Sequence, residues 1–140
     1  MNYLFDTCVI SEMVKKHPAQ VVLDWIEQQE EEFICLSVLT IGELEKGIAK
    51  LTDSHRKKKL KTWVEKDLIE RFSNRILSFD LQTALLWGKQ QGELERLGMR
   101  LPLMDSLIAA TAIVHHLVVV TRNSQDMERL GVKIYNPWNT

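Results

Sequence analysis

Residues 102–121 read PLMDSLIAATAIVHHLVVVT, and the fold can be worked outward from these two adjoining elements. Pro102 opens a helix over Leu103–Val114, where its missing N–H is no loss and its fixed φ suits the first turn. The helix is apolar on every side and is therefore expected to be buried. Its only charge, Asp105, stands in the first turn. Leu117-Val118-Val119-Val120 follows, apolar throughout and rich in β-branched residues, the pattern of a strand covered on both faces. Such a strand belongs inside a sheet with helices above and below. Thr121, Arg122, Asn123 and Asp126 come directly after its carboxyl end.

The alternation continues in both directions. Upstream, Arg75-Ile76-Leu77-Ser78-Phe79 alternates like a short strand, and Asp80 is a fitting N-cap for a helix up to about Leu97. A further helix is predicted over Asp53–Arg71, apolar at Leu60, Trp63, Val64 and Leu68. Phe33-Ile34-Cys35-Leu36 reads as a strand, and Ser37 caps a helix with Ile41, Leu44, Ile48 and Leu51 on its core face. Pro18 suits the first turn of a helix carrying Val21, Val22, Trp25 and Ile26. Val9, Ile10, Met13 and Val14 mark a helix before it. At the start, Tyr3-Leu4-Phe5 is a short apolar run that stops abruptly at Asp6. Downstream, Ser124 to Leu130 reads as a short helix and Val132 to Tyr135 as a last strand. Strands alternating with helices predict a mostly parallel sheet in a three-layer α/β/α sandwich, one domain over residues 1–140. Ligands in such folds bind beyond the carboxyl ends of the strands.

Composition agrees with a single folded domain: 45% of the 140 residues are hydrophobic and 26% charged, which excludes disorder. Eighteen Lys and Arg against nineteen Asp and Glu leave a net charge of −1. That balance argues against a protein that coats phosphate backbones generally, and leaves room for a local basic groove. Cys8 and Cys35 are the only cysteines and show no metal-ligand spacing, which argues against a disulfide framework and a structural zinc site. No stretch approaches the roughly 18 apolar residues of a membrane helix. The apolar start, MNYLFDTCVISEMV, carries Asp6 at its centre and lacks a basic n-region. It reads as the beginning of the fold, and the chain as a cytoplasmic protein.

Asp6 and the Thr121–Asp126 segment follow the ends of two different strands, so one sheet edge should gather polar residues from distant parts of the chain. Asp6 serves equally well as an N-cap, and Asp105 as a partner for its helix dipole. A buried carboxylate without a cation is costly, however, which makes a metal or a basic partner attractive at Asp105. Glu43 lies beside the core stripe of its helix with Gly47 on the same face, whereas Glu45 points more nearly to solvent. Carboxylates gathered at one edge raise one another's pKa unless a divalent cation neutralises them. Hard oxygen ligands of this kind suit Mg²⁺ or Mn²⁺, and a site so built can activate water against a phosphodiester.

Four segments carry a resemblance. Leu4-Phe5-Asp6-Thr7-Cys8-Val9-Ile10-Ser11-Glu12 resembles the opening motif of PIN-domain proteins, and Ser37-Val38-Leu39-Thr40-Ile41-Gly42-Glu43-Leu44 with Gly47 and Ile48 resembles their second. Asp105-Ser106-Leu107-Ile108-Ala109-Ala110-Thr111-Ala112 is similar to the third, and Val120-Thr121-Arg122-Asn123 with Asp126 to the fourth. Ile76-Leu77-Ser78-Phe79-Asp80 and Asn136-Pro137-Trp138 fit the VapC and FitB branch. The resemblance implies a Mg²⁺- or Mn²⁺-dependent ribonuclease, the toxin of a type II toxin–antitoxin pair, with RNA as substrate, a cognate antitoxin and a homodimer. It implies Asp6, Glu43, Asp105 and Asp126 as catalytic, metal-binding carboxylates. Thr7, Ser11, Thr121 and Asn123 would be supporting polar residues, and Arg122 would contact a phosphate. Two positions depart from the pattern: Cys8 stands where many members have Asn or Ser, and Asn123 where some carry the fourth Asp. Either Asp126 or Asn123 then completes the site, or the site is a three-acid one.

Other readings compete. A haloacid-dehalogenase-type phosphatase needs a second acid two residues after Asp6, where Cys8 stands. A Cys/His nucleophile would need a histidine near Cys8, and none is evident. A catalytically inactive PIN-like module that binds nucleic acid or protein is the non-enzymatic alternative, disfavoured by the retained acids. Within the fold, the basic run Arg56 to Lys61 reads either as a solvated helix face or as an RNA contact. Val14, Val22 and Trp25 read either as core or as the lining of an antitoxin groove.

Overall fold

A computed structural model describes residues 2–139. Five strands form one sheet in the order β3-β2-β1-β4-β5, with every pairing parallel. They are β1 (Tyr3–Phe5), β2 (Ile34–Ser37), β3 (Ile76–Leu77), β4 (Val118–Val120) and β5 (Ile134–Tyr135). Between β1 and β2 lie α1 (Thr7–Glu12) and α2 (Gln20–Glu27), and α3 (Val38–Ala49) follows β2. A long helical stretch then comprises α4 (His55–Thr62), a π-helical segment (Trp63–Leu68) and α5 (Ile69–Arg71). α6 (Leu81–Arg96) and α7 (Leu103–Val114) precede β4, and α8 (Ser124–Glu128) lies between β4 and β5.

Alternation along each strand divides the core into two halves. Phe5, Leu36 and Val120 point to the side of Val9, Val22, Leu68 and Phe72. Leu4 and Val119 point to the other side, against Ile108, Ala109 and Ala112 of α7 and against Met127. Both faces of the sheet are thus covered, as the three-layer prediction requires. Trp25 belongs to the first half: its ring stacks on Tyr135 at 4.8 Å and meets Tyr3 edge-on at 5.3 Å. Val22 is fully buried there too, so these two are core residues, while Val14 lines a surface groove. No helix among the described residues is long and apolar enough to cross a membrane.

Several elements differ in extent from the sequence reading, for local reasons. Phe33 closes a 3₁₀ turn, because the ladder with β1 begins only at the Tyr3–Ile34 pair. β3 is reduced to two residues, since β2 turns into α3 immediately after Ser37. β5 likewise shortens to the residues that pair with Val119 and Val120. The helix expected from Asp53 starts at His55, where the Ser54 hydroxyl accepts from the Lys57 N–H at 3.1 Å. The basic α4 buries nothing. From the π segment onward the helix is anchored in the core by Val64 and Leu68, with Phe72 beyond.

Strand order reverses between β1 and β4. From β1 the chain builds outward to β2 and β3, then returns to the other side of β1. A crevice at the carboxyl ends of the strands opens at such a switch point. Asp6 and Thr121 stand at its two lips.

Candidate active site

Asp6 follows β1 in an extended conformation, and its N–H donates to Val120 O at 3.0 Å, prolonging the ladder by one rung. Its side chain is 95% buried, and each oxygen has its own partner. Oδ1 accepts from the Thr7 N–H at 2.8 Å, the N-cap of α1, and Oδ2 accepts from the Thr121 hydroxyl at 2.8 Å. The Thr121 oxygen in turn accepts from the Asn123 N–H at 3.1 Å. The arrangement that caps α1 therefore also fixes the orientation of the Asp6 carboxylate.

Thr7 carries the network on to α3. While its N–H serves Asp6, its hydroxyl donates to Glu43 Oε1 at 2.5 Å. Ser11 stands one turn further along α1 and shares a groove with Thr7, Glu43 and Gly47.

Asp105 enters from the first turn of α7, half-buried. The start of that helix is tied down by Ser106, whose hydroxyl donates to Leu103 O and accepts from the Trp87 indole N–H of α6 at 2.9 Å. Burial raises the pKa of Asp105 first, and the negative charges of Asp6, Asp126 and Glu43 add to it, bringing the group to about 6. The charges of three acids from three separate segments therefore act on a fourth, Asp105. Among the described residues, none of the four takes part in a salt bridge.

Arg122 and Asn123 sit beside Asp126 around a polar pocket that Asn136 also lines. The Arg122 guanidinium is steadied over the Trp138 ring, 4.8 Å from its centroid. Asn123 contributes its backbone N–H to Thr121, while its side chain is exposed.

Cys8 lies 3.9 Å from Asp6 Oδ2 and 3.7 Å from the Thr121 hydroxyl. Burial and then the Asp6 charge push its thiol pKa upward, so it stays protonated and is a poor nucleophile. That removes the support for a Cys/His reaction. Glu45 is not the solvated acid its position implied: it is half-buried, and burial followed by the charge of Glu65 on the π segment raises its pKa.

Sequence reasoning gave Glu12 no role. It is 98% buried; Oε1 accepts from Lys15 Nζ at 2.6 Å and Oε2 from the Ala19 N–H at 2.9 Å, which fixes the turn from α1 into α2. Its position after the apolar pair Val9-Ile10 was the available signal.

The donor set of Asp6, Glu43, Asp105 and Asp126 consists wholly of hard carboxylate oxygens, the type that Mg²⁺ or Mn²⁺ prefers. Unbalanced negative charge at Asp105 is the state a divalent cation relieves. Among the described residues no three His, Cys, Asp or Glu side chains stand close enough together to hold an ion as they are. The fit is one of chemistry and charge.

A PIN domain family model matches residues 3–133. The VapC ribonuclease Y4jK of Sinorhizobium fredii is 33% identical over 135 residues, covering 96% of each chain. Toxin FitB of Neisseria gonorrhoeae is 33% identical over 136 residues, covering 97% of this chain and 98% of its own. Among solved structures, FitAcB from Neisseria gonorrhoeae superposes with a TM-score of 0.93 at 33% identity, covering 99% of both chains.

Proposed function

The chain belongs to the PIN domain family, and from that membership we propose that it is a divalent-metal-dependent endoribonuclease, the toxin of a toxin–antitoxin pair. The observation that carries the reading is the network in which Thr7 bonds both Asp6 and Glu43 and Thr121 bonds Asp6, with the charges of Asp6, Glu43 and Asp126 acting on half-buried Asp105. Relatives named as a VapC ribonuclease and a toxin, each covered almost end to end, supply the reaction class.

Asp6, Glu43, Asp105 and Asp126 would hold Mg²⁺ or Mn²⁺. When bound, the ion supplies a Lewis acid for water and charge neutralisation at the phosphodiester. The chain's own residues do the rest. The Thr121 and Thr7 hydrogen bonds hold the Asp6 carboxylate in one orientation, and the Thr7 hydroxyl holds Glu43. Such supporting partners are worth about 10–100-fold in metal affinity or activity. Asp126 completes the acidic set in preference to Asn123, a choice supported by its charge acting on Asp105. Arg122 would contact a phosphate, a role supported by its bracing on Trp138 beside that acid.

The partners follow from the same reading: an RNA substrate in the cytoplasm, a cognate antitoxin that occludes the acids, and a second copy of the chain. Exposed Leu81 and Leu85, one turn apart on α6, offer an apolar face for that second copy. The test is cleavage of a mixed RNA pool by antitoxin-free protein, with and without Mn²⁺, beside Asp105→Asn. Discrete metal-dependent cuts lost in the variant are expected. Neither cutting nor metal binding by the wild type would favour an inactive binding module instead.

A further inference from the structure

Two clefts on one side of the acids share Val14, Arg56, Leu60 and Trp63, and together they make one continuous groove. Its inner part, about 270 Å³, starts at Thr7, Ser11 and Glu43. Its outer part, about 420 Å³, has Val14, Leu60 and Trp63 as an apolar floor and Lys16, Arg56 and Lys59 at the rim.

The basic run of α4 divides by direction. Lys57 turns back to the end of α3, where its ammonium donates to Leu51 O at 3.0 Å and pairs with Asp53. Arg56 reaches across to α1, its guanidinium donating to Val14 O at 3.5 Å. Lys16 and Lys59 are exposed and have no acidic partner among the described residues. A chain of net charge −1 thus concentrates uncompensated positive charge along a groove that ends at its acidic site.

We propose that this groove binds the single-stranded RNA flank of the scissile bond, with Lys16, Arg56 and Lys59 on successive phosphates and bases laid against the Leu60–Trp63 floor. The inference rests on the nuclease reading and extends it to the path of the substrate. Unpaired cations above an apolar, indole-containing floor are the combination that binds single strands, whose bases expose their faces; a duplex hides them. An amphipathic peptide would engage the rim cations only if it carried acidic residues in register with them, whereas every single strand brings both phosphates and base faces.

The experiment measures binding of a fluorescent twelve-nucleotide single-stranded RNA to full-length Asp105→Asn protein across a salt series. Lys16→Ala, Arg56→Gln and Lys59→Ala are added singly and together, with Lys58→Ala as a charge-matched control outside the groove. Each groove substitution should lower the slope of log affinity against log salt by about 0.7, and the triple variant should bind roughly tenfold or more weakly at low salt. Slopes and affinities equal to the Lys58→Ala control would overturn the assignment while leaving the nuclease intact. Unchanged RNA affinity with weakened antitoxin binding would give the groove to a protein partner and also overturn it. Failure of the parent protein to bind RNA, with no cleavage by wild type, would remove the nuclease reading and this inference together.

Discussion

The Thr121 hydroxyl donates to Asp6 Oδ2 at 2.8 Å, joining residues 115 positions apart in the chain. The bond spans the two strands between which the sheet order reverses, so it couples the closure of the sheet to the orientation of the first acid.

Thr121→Val keeps the shape of the side chain and removes that hydrogen bond. A buried hydrogen bond to a charged group contributes about 1.5–3 kcal/mol. Denaturant unfolding should show a loss in that range. Cleavage should fall about 10–100-fold, the usual effect of removing a partner that orients a ligand. Thr121→Ser should restore most of both.

Asp105→Asn should stabilise the metal-free protein at neutral pH. The folded-state pKa of about 6 lies above the ordinary carboxylate value, so this group's contribution to stability is fully present below the unfolded value and is lost as pH rises through about 6. Thermal unfolding between pH 4 and 8 should therefore show a gain of a few degrees in the variant above pH 6 and little gain near pH 4. Adding Mg²⁺ should raise the melting temperature of the wild type and not of the variant.

Glu12 behaves in the opposite sense. Burial alone would raise its pKa, but the bonds from Lys15 and Ala19 outweigh burial and hold the carboxyl below the ordinary range. Its contribution is present at neutral pH and is lost as pH falls below about 4.3. Glu12→Gln should cost about 1–3 kcal/mol at pH 7, from a weakened buried network, and progressively less in acid. Urea unfolding at pH 7 and pH 4 checks the sign.

If two copies pair through α6 as proposed, Leu85→Glu should leave a folded monomer, since this residue is 67% exposed in the single chain. Light scattering after size-exclusion chromatography reads the result. A wild type already monomeric at micromolar concentration would remove the dimer from the proposed function.

Much of the layered fold is legible in short stretches because burial on two faces leaves an unbroken apolar run, as at Val118-Val119-Val120 and Leu4-Phe5. Capping is equally local: Ser37 and Asp80 bond to N–H groups two and three residues on. What the sequence leaves open depends on contacts between distant segments. Nothing around Thr7 signals that its hydroxyl reaches Glu43, and nothing around Glu45 signals that Glu65 faces it. The π segment is hidden for a related reason, since Leu60, Val64 and Leu68 keep the four-residue spacing of an ordinary helix. Of the site, the four acids were legible as candidates. Their approach to one another was not, because it depends on the order in which the strands pair.

That strand order also has a consequence in time. During synthesis β1, β2 and β3 emerge first, and β4, Thr121 and Asp126 follow only after α6 and α7. Until then Asp6 lacks the hydroxyl that orients it, and the acidic cluster lacks a member. Orientation of the first acid thus waits on the folding of a strand that lies more than a hundred residues further along the chain.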